Sequence, residues 1–144
     1  MMISRGAFFD SAAVMRDVAP KRRKFLSRFG AFVRTRARSL LNKSGGKSGK
    51  TSAPGQPPRK QVGTLRRNIF FAYERSTDNV VIGPVELQSS ASGGDAPEAL
   101  EKGGILSFVD QSGKTRSAKV QSRPFMQPAF DEVKQQISSI WRDS

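Results

Sequence analysis

The sequence predicts an α+β domain in which an antiparallel sheet of about four strands, formed by two hairpins, packs with a long N-terminal helix and a C-terminal helix. Apolar residues recur at helical spacing near both ends of the chain, which is typical of amphipathic helices. Between them lie short segments rich in strand-forming residues, separated by turn residues. With 144 residues, 36% of them apolar, the chain can bury one modest core, so residues 1–144 are predicted to form a single domain.

The first predicted helix covers residues 20–41 and follows an N-terminal extension, residues 1–19. Pro20 suits the first turn of a helix, and no other proline lies before residue 41. At about 100° per residue, one set of apolar side chains falls within an arc of about 140°: Phe25, Leu26, Phe29, Phe32, Val33, Ala37 and Leu40. The opposite side carries Arg23, Lys24, Arg28, Arg34 and Arg38. We therefore expect a buried apolar stripe and an exposed basic face.

Arg36 interrupts this pattern because it falls inside the apolar arc. One interpretation is that its stem packs against the core while its guanidinium reaches the rim. The other is that it makes a charge-paired contact to a partner. Both interpretations stay open at this point.

Residues 43–61 are predicted to form a flexible basic loop, because they contain glycines and prolines but no large apolar side chain. The stretch SGGKSGKT at 44–51 is close to a phosphate-binding loop, but Ser44 occupies the place of the first glycine. Such a loop must also open a helix, and here prolines follow it. We expect no nucleotide or other cofactor, and an arm whose basic residues are Lys43, Lys47, Lys50, Arg59 and Lys60.

The first predicted hairpin joins strands at 69–74 and 80–82 through a turn at Asp78-Asn79, after a helical turn within 63–68. A second long loop is predicted at 85–97.

The second hairpin follows a helical turn at 98–102, which Gly103-Gly104 ends. Its strands are predicted at 105–109 and 115–120, on either side of a turn at Ser112-Gly113.

The C-terminal helix is predicted with Pro128 in its first turn. Asp131 and Glu132 are predicted to lie in the first turn of this helix, where negative charge interacts favourably with the positive end of the helix dipole. The apolar residues at helical spacing are Met126, Ala129, Phe130, Val133, Ile137, Ile140 and Trp141.

The composition narrows the function classes. A formal charge of +13 and a pI near 11.1 indicate a negative partner, either nucleic acid or an acidic protein surface.

The chain has no cysteine and no histidine, which removes disulfides, thiolate chemistry and the commonest metal ligand and general base. No motif pairs the carboxylates as acid and base, so we expect no enzyme and no metal site. No apolar run is long enough for a membrane span, and we expect a soluble protein of a reducing compartment.

Nucleic-acid binding stays open as an alternative function. Arg66-Arg67 precedes the aromatic stretch 70–73, and basic residues beside aromatic ones are typical of such proteins. No recognised RNA-binding signature accompanies them. Phe71 and Tyr73 also fit one face of a sheet that packs on a core.

Four short passages resemble one family. SAPGQPP at 52–58 and GTLRRNI at 63–69 are similar to the proline-glycine and Gly-x-Leu-Arg stretches of bacteriophage tail-completion and head–tail joining (neck) proteins. ALEKGG at 99–104 resembles their Leu-Glu-x-Gly turn, and SRPFMQPAFDE at 122–132 resembles the Arg-Pro-Phe start of their last helix. The order of helices, loops and strands is also similar. Three features depart from the family pattern: the basic loop at 43–61 is longer, the segment at 85–97 is atypical, and the first twenty residues have no counterpart.

The resemblance implies a non-enzymatic virion protein that forms a ring, commonly six-fold, between the capsid portal and the tail. Its expected location is the virion neck, and the host cytoplasm during assembly. Its expected partners are copies of itself and neighbouring neck, portal-adaptor and tail proteins with acidic surfaces, with non-specific DNA contact also open and no membrane. The residues that carry the resemblance are expected to hold the fold rather than bind: Gly63, Leu65, Glu101, Gly103, Pro124 and Phe125.

Two sets of basic residues are the predicted interaction sites. The helical docking face is Lys24, Arg28, Arg34 and Arg38. The basic arm is Lys47, Lys50, Arg59 and Lys60. A basic surface of this kind favours encounter with an acidic neighbour.

Overall fold

A computed structural model of the chain describes residues 11–41, 52–59, 64–85 and 96–144. Its elements, in chain order, are α1 (Ser11–Leu40), α2 (Thr64–Arg67), β1 (Ile69–Glu74), β2 (Asn79–Pro84), α3 (Ala96–Lys102), β3 (Gly104–Val109), β4 (Thr115–Val120), α4 (Met126–Lys134) and α5 (Ile137–Arg142). The predicted α+β class, with two antiparallel hairpins between long terminal helices, is confirmed.

The strands form two separate two-stranded sheets within the described residues. Hairpin 1 pairs β1 with β2, from Ile69 opposite Pro84 to Glu74 opposite Asn79. Hairpin 2 pairs β3 with β4, from Gly104 opposite Val120 to Val109 opposite Thr115. The turn of hairpin 2 lies at Ser112-Gly113 as predicted, whereas the turn of hairpin 1 covers residues 75–78, so that Asn79 already belongs to β2.

The turn residues explain these positions. Asp78 has φ 55° and Gly113 has φ 78°, in the left-handed region that Asn, Asp and Gly tolerate best.

The start of α1 differs from the prediction. The helix begins at Ser11, so Pro20 lies in its interior instead of its first turn, and residues 11–19 of the predicted extension are helical. An interior proline lacks a backbone donor and crowds the preceding turn, at a cost of about 3 kcal/mol. The Ala-rich segment before it has high helix propensity, which favours continuing the helix through that position. Residues 1–10 lie outside the described part of the chain.

Helix α1 is the centre of the fold because it packs on two sides. Hairpin 1 covers one side, and α4 and α5 cover another. Gly30 faces hairpin 1, where an added Cβ would come within 2.8 Å of side-chain atoms of Phe71 and Val80. This position therefore needs glycine, despite the helix-propensity cost of about 1 kcal/mol. The core between these layers contains Phe29, Val33, Ala37, Leu41, Ile69, Phe125, Ala129, Val133 and Ile140.

The predicted apolar stripe of α1 is buried only in part. Phe29, Val33 and Ala37 are buried, but Phe32 is 45% exposed. Phe32 lies about 60° from Phe29 around the helix, toward the edge of the arc, where the described residues do not cover it. The expectation that Phe32 is buried is therefore wrong.

The C-terminal helix is interrupted once. It follows the predicted spacing, but Gln135 and Gln136 separate α4 from α5. The Gln136 amide donates to the Val133 carbonyl at 2.9 Å, a bond to the third preceding residue that tightens the chain. Beyond this turn, Ile140 is buried in the same core as Val133.

Candidate interaction surfaces

Three of the passages that carry the family resemblance meet at one place in the fold, which we term the motif junction. Gly55 donates its amide to the Ser122 carbonyl at 2.9 Å, and the Arg123 Nε donates to the Ser52 carbonyl at 3.0 Å. The Ser122 hydroxyl donates to the Glu101 carbonyl at 2.8 Å. Segments 52–58, 99–104 and 122–132 are thus joined by hydrogen bonds, although they are far apart in sequence.

The Glu101 carboxylate is the main polar contact of this junction. It accepts the backbone amides of Phe125 at 3.0 Å, Met126 at 3.1 Å and Gln127 at 2.8 Å. These amides lie at the start of α4, whose N-cap residue Phe125 has no side-chain cap of its own. Glu101 therefore caps a helix that begins more than twenty residues later.

Other residues of the resemblance have structural positions as well. Gly103 has φ 77°, and a Cβ there would come within 3.2 Å of the Ser122 backbone amide nitrogen. Phe125 is fully buried and Leu65 packs against the core. Pro124 is half-buried. Gly63 lies outside the described residues.

The predicted docking face of α1 is not a free surface throughout. Lys24 is exposed, and the Arg28 guanidinium donates to the backbone carbonyl of Asp143. Arg34 lies over the Phe71 ring, 5.4 Å from its centroid. Arg38 donates to the carbonyls of Arg67 at 3.1 Å and Ile69 at 2.9 Å.

Hairpin 1 thus packs on the side of α1 that was expected to be exposed, and Arg34 and Arg38 contact it. The physical reason is that a guanidinium both stacks on an aromatic ring and donates to several carbonyls, so a basic helix face accepts an aromatic strand. Arg34 and Arg38 are therefore partly covered by contacts within the chain.

The predicted basic arm is described only at Arg59, which is exposed. Lys47, Lys50 and Lys60, and the stretch 44–51, lie outside the described residues. Arg59 and Arg36 line an open cleft of about 460 Å³ beside residues 52–57.

The structure shows which group the Arg36 guanidinium contacts. Its guanidinium pairs with the Glu132 carboxylate of α4, which lowers the pKa of Glu132 through that hydrogen bond. Arg36 is therefore charge-paired, but its partner belongs to the same chain.

A partly exposed aromatic surface runs along the contact between α1 and the two C-terminal helices. We term it the aromatic seam and define it by Phe32, Phe130, Ile137 and Trp141, each more than one-third exposed. Trp141 meets Phe25 edge to face with ring centroids 5.3 Å apart, and Phe130 meets Phe29 in the same way at 5.7 Å.

Cations border the seam. The Lys21 ammonium lies 5.4 Å from the Trp141 ring centroid. Lys24 and Arg28 follow Lys21 at helical spacing on α1. The seam is thus an apolar surface with a positive rim.

Hairpin 2 is a second exposed surface, and it is mainly polar. Ile105 on β3 is 75% exposed, and β4 is exposed from Thr115 to Lys119. Neither outer edge of the hairpin has a partner strand among the described residues. Unpaired strand edges are sites where another chain can add a strand.

The turn of hairpin 2 is ordered by Asp110. Its carboxylate accepts the Ser112 hydroxyl, the Arg116 Nε and the Lys114 amide. These bonds, the one from Ser112 first, lower the pKa of Asp110 from 3.8 to about 2.

Comparison of the chain with protein-family models, curated proteins and solved structures found no match. Within the described residues, no group of three or more His, Cys, Asp or Glu residues is placed to hold a metal ion. No helix in the described ranges is long and apolar enough to cross a membrane.

Proposed function

We propose that this chain is a structural protein of the phage neck, of the tail-completion type, which forms a ring that joins the capsid portal or its adaptor to the tail. It acts by protein–protein contacts and not by catalysis. In the finished virion the chain is located in the neck. During assembly it is located in the host cytoplasm.

The observation that carries this proposal is the presence of two unlike exposed surfaces on one small chain, the aromatic seam and the unpaired strand edges of hairpin 2. The aromatic seam exposes four large apolar side chains, and hairpin 2 exposes Ile105 together with unpaired strand edges. A ring built from identical subunits by head-to-tail contacts needs two unlike surfaces on each subunit. Exposed apolar groups with a polar rim are typical of such interfaces.

The motif junction supports the family resemblance. Three of the four similar passages are distant in sequence, yet hydrogen bonds between their residues join them in the fold. A shared set of residues is expected to recur among relatives when it holds one local structure together. This agrees with the expectation that these residues serve the fold.

The charge distribution favours acidic neighbours above or below the ring. The formal charge of +13 makes free copies of the chain repel one another. An acidic surface on a neighbouring protein offsets this repulsion. Lys21, Lys24 and Arg28 place part of this charge beside the aromatic seam. Apolar contact and charge are therefore offered together on one side of α1.

Native mass spectrometry of the purified chain, alone and with the tail proteins of the same phage, tests the ring. We expect a closed ring of identical copies, and we expect Ile105→Asp to shift the population to monomers, because a charge replaces an apolar contact on hairpin 2. Val81→Asp is the matched control, since Val81 is 62% exposed on hairpin 1. A wild-type chain that stays monomeric under all these conditions, or equal effects of the two variants, would contradict the proposal.

A further inference from the structure

The chain contains a long segment without negative charge, and the fold gathers part of it into one place. No Asp or Glu lies between Asp17 and Glu74. From this segment, Arg34 of α1 and Arg66 of α2 both lie close to Arg38, and we term these three residues the arginine cluster. The Arg66 Nε donates to the Arg38 carbonyl at 3.1 Å. Burial, and then the charges of Arg34 and Arg66, lower the pKa of Arg38.

No carboxylate of the described residues forms an ion pair with an arginine of the cluster. The acids of hairpin 1, Glu74 and Asp78, lie at its far end, about 17 Å along the strand from Ile69 at about 3.3 Å per residue. Glu74 accepts the Thr77 hydroxyl, and Asp78 accepts Arg22 and Tyr73. The acid of α1, Asp17, lies more than four helical turns before Arg34. The charge of Arg38 is thus placed near two other guanidinium charges.

The cluster is held in place by the chain's own carbonyls. Arg38 donates to Arg67 and Ile69, and Arg34 rests on the Phe71 ring. All three arginine side chains are half-buried and keep part of their surface in solvent. Within the described residues, the Nε atoms of Arg34 and Arg38 are buried without an acceptor, so an anion from solvent would have to bind other nitrogens of these side chains. A fixed guanidinium loses little freedom when it binds an anion, and its planar fork matches a phosphate group.

The position of the cluster favours a polyanion over an acidic protein. Phe32 of the aromatic seam and Arg34 are about 200° apart around α1, so the two surfaces lie on nearly opposite sides of the helix. Protein interfaces usually combine charge with buried aromatic anchors, and here the anchors lie on the other side. Phe70 does not replace them, because strand alternation points it away from α1.

We propose that the arginine cluster binds the phosphate backbone of nucleic acid, without reading its bases. The proposed neck function does not include this site. The site does not depend on that function either, because it lies on a different face of α1 from the aromatic seam. A protein that contacts phosphates releases counterions from the nucleic acid. The logarithm of its affinity therefore falls with the logarithm of the salt concentration, with a slope of about 0.9 per phosphate contact.

Fluorescence anisotropy with a labelled DNA duplex of about 20 base pairs tests the site, between about 50 and 200 mM salt. We expect the full chain to bind, and Arg66→Gln to reduce the slope of log Kd against log salt by about one. Arg34→Gln is expected to do the same while the carbonyl contacts of Arg38 stay in place. Arg66→Lys, which keeps the charge, is expected to keep most of the slope.

Lys134→Gln is the matched control, because it removes one exposed charge from α4, away from the cluster. Circular dichroism melts of all variants separate lost binding from lost folding. No binding at the lowest salt, or the same slope change in Lys134→Gln as in Arg66→Gln, would overturn the site. If a polyglutamate peptide binds as tightly as the duplex and depends equally on Arg66, the cluster is a site for acidic protein and the phosphate assignment is wrong.

Discussion

Replacing Glu101 with alanine is expected to lower the free energy of unfolding by about 3 kcal/mol. The change removes hydrogen bonds to a charged carboxylate and leaves the backbone amides that donate them without an acceptor. Three backbone amides at the start of α4 donate to this one carboxylate. Two of them, on Phe125 and Met126, are partly buried, so water replaces the lost acceptor only incompletely. Urea unfolding followed by circular dichroism measures the change.

Two further variants make this prediction specific. Glu101→Gln keeps an acceptor but loses the charge, so we expect an intermediate loss of about 1–2 kcal/mol. Glu98→Ala is the control, because Glu98 lies on the same helix and contacts only Lys102 through an exposed pair. We expect Glu98→Ala to leave the free energy of unfolding nearly unchanged, because an exposed ion pair contributes little. If Glu101→Ala and Glu98→Ala are equally mild, Glu101 does not cap α4.

Replacing Phe32 with serine is expected to reduce the joining of purified heads and tails by about 30-fold or more, the effect of removing an interface hot spot of about 2 kcal/mol. Phe32 is the most exposed residue of the aromatic seam and adds little to the core. The variant should therefore fold with a nearly unchanged melting temperature. Joining is measured as the yield of infectious particles when heads, tails and the purified chain are mixed.

Phe70→Ser provides the matched control for the seam. Phe70 is 48% exposed and Phe32 is 45% exposed, so the two side chains are comparable. Phe70, however, lies on the outer face of hairpin 1. The same chemical change there is expected to leave joining intact. Joining that survives Phe32→Ser, or that both variants abolish to the same extent, would show that joining does not require the aromatic seam as an interface.

Much of the fold follows from local sequence patterns. Strand-forming segments with Asp78 and Gly113 in their turns predict both hairpins, because short-range turn chemistry decides them. The helical turn ended by Gly103 is predicted for the same reason. Periodicity also predicts the two long helices, but it misplaces the start of α1, since propensity before Pro20 outweighed the proline.

The parts that were not predictable depend on contacts between distant segments. No sequence rule places hairpin 1 on the basic side of α1, and periodicity alone suggests that Arg34 and Arg38 are exposed. Gly30, within an otherwise regular helix, was the one local signal of close packing on that side. The capping role of Glu101 likewise requires two segments that only the fold brings together.

The aromatic seam was missed for a similar reason. Its residues were all identified as apolar positions of helices, and helical spacing predicts that they are buried. Their exposure depends on how α4 and α5 sit against α1, with a break at Gln135 and Gln136. That break leaves no strong signal in the sequence, because glutamine is a good helix former.

Quantitative immunoblotting of purified virions tests the neck assignment most directly. If the chain is a ring component between head and tail, every infectious particle contains it at the same low copy number, and tailless heads and free tails contain less. Absence from infectious particles, or a copy number that varies with the preparation, would contradict that role.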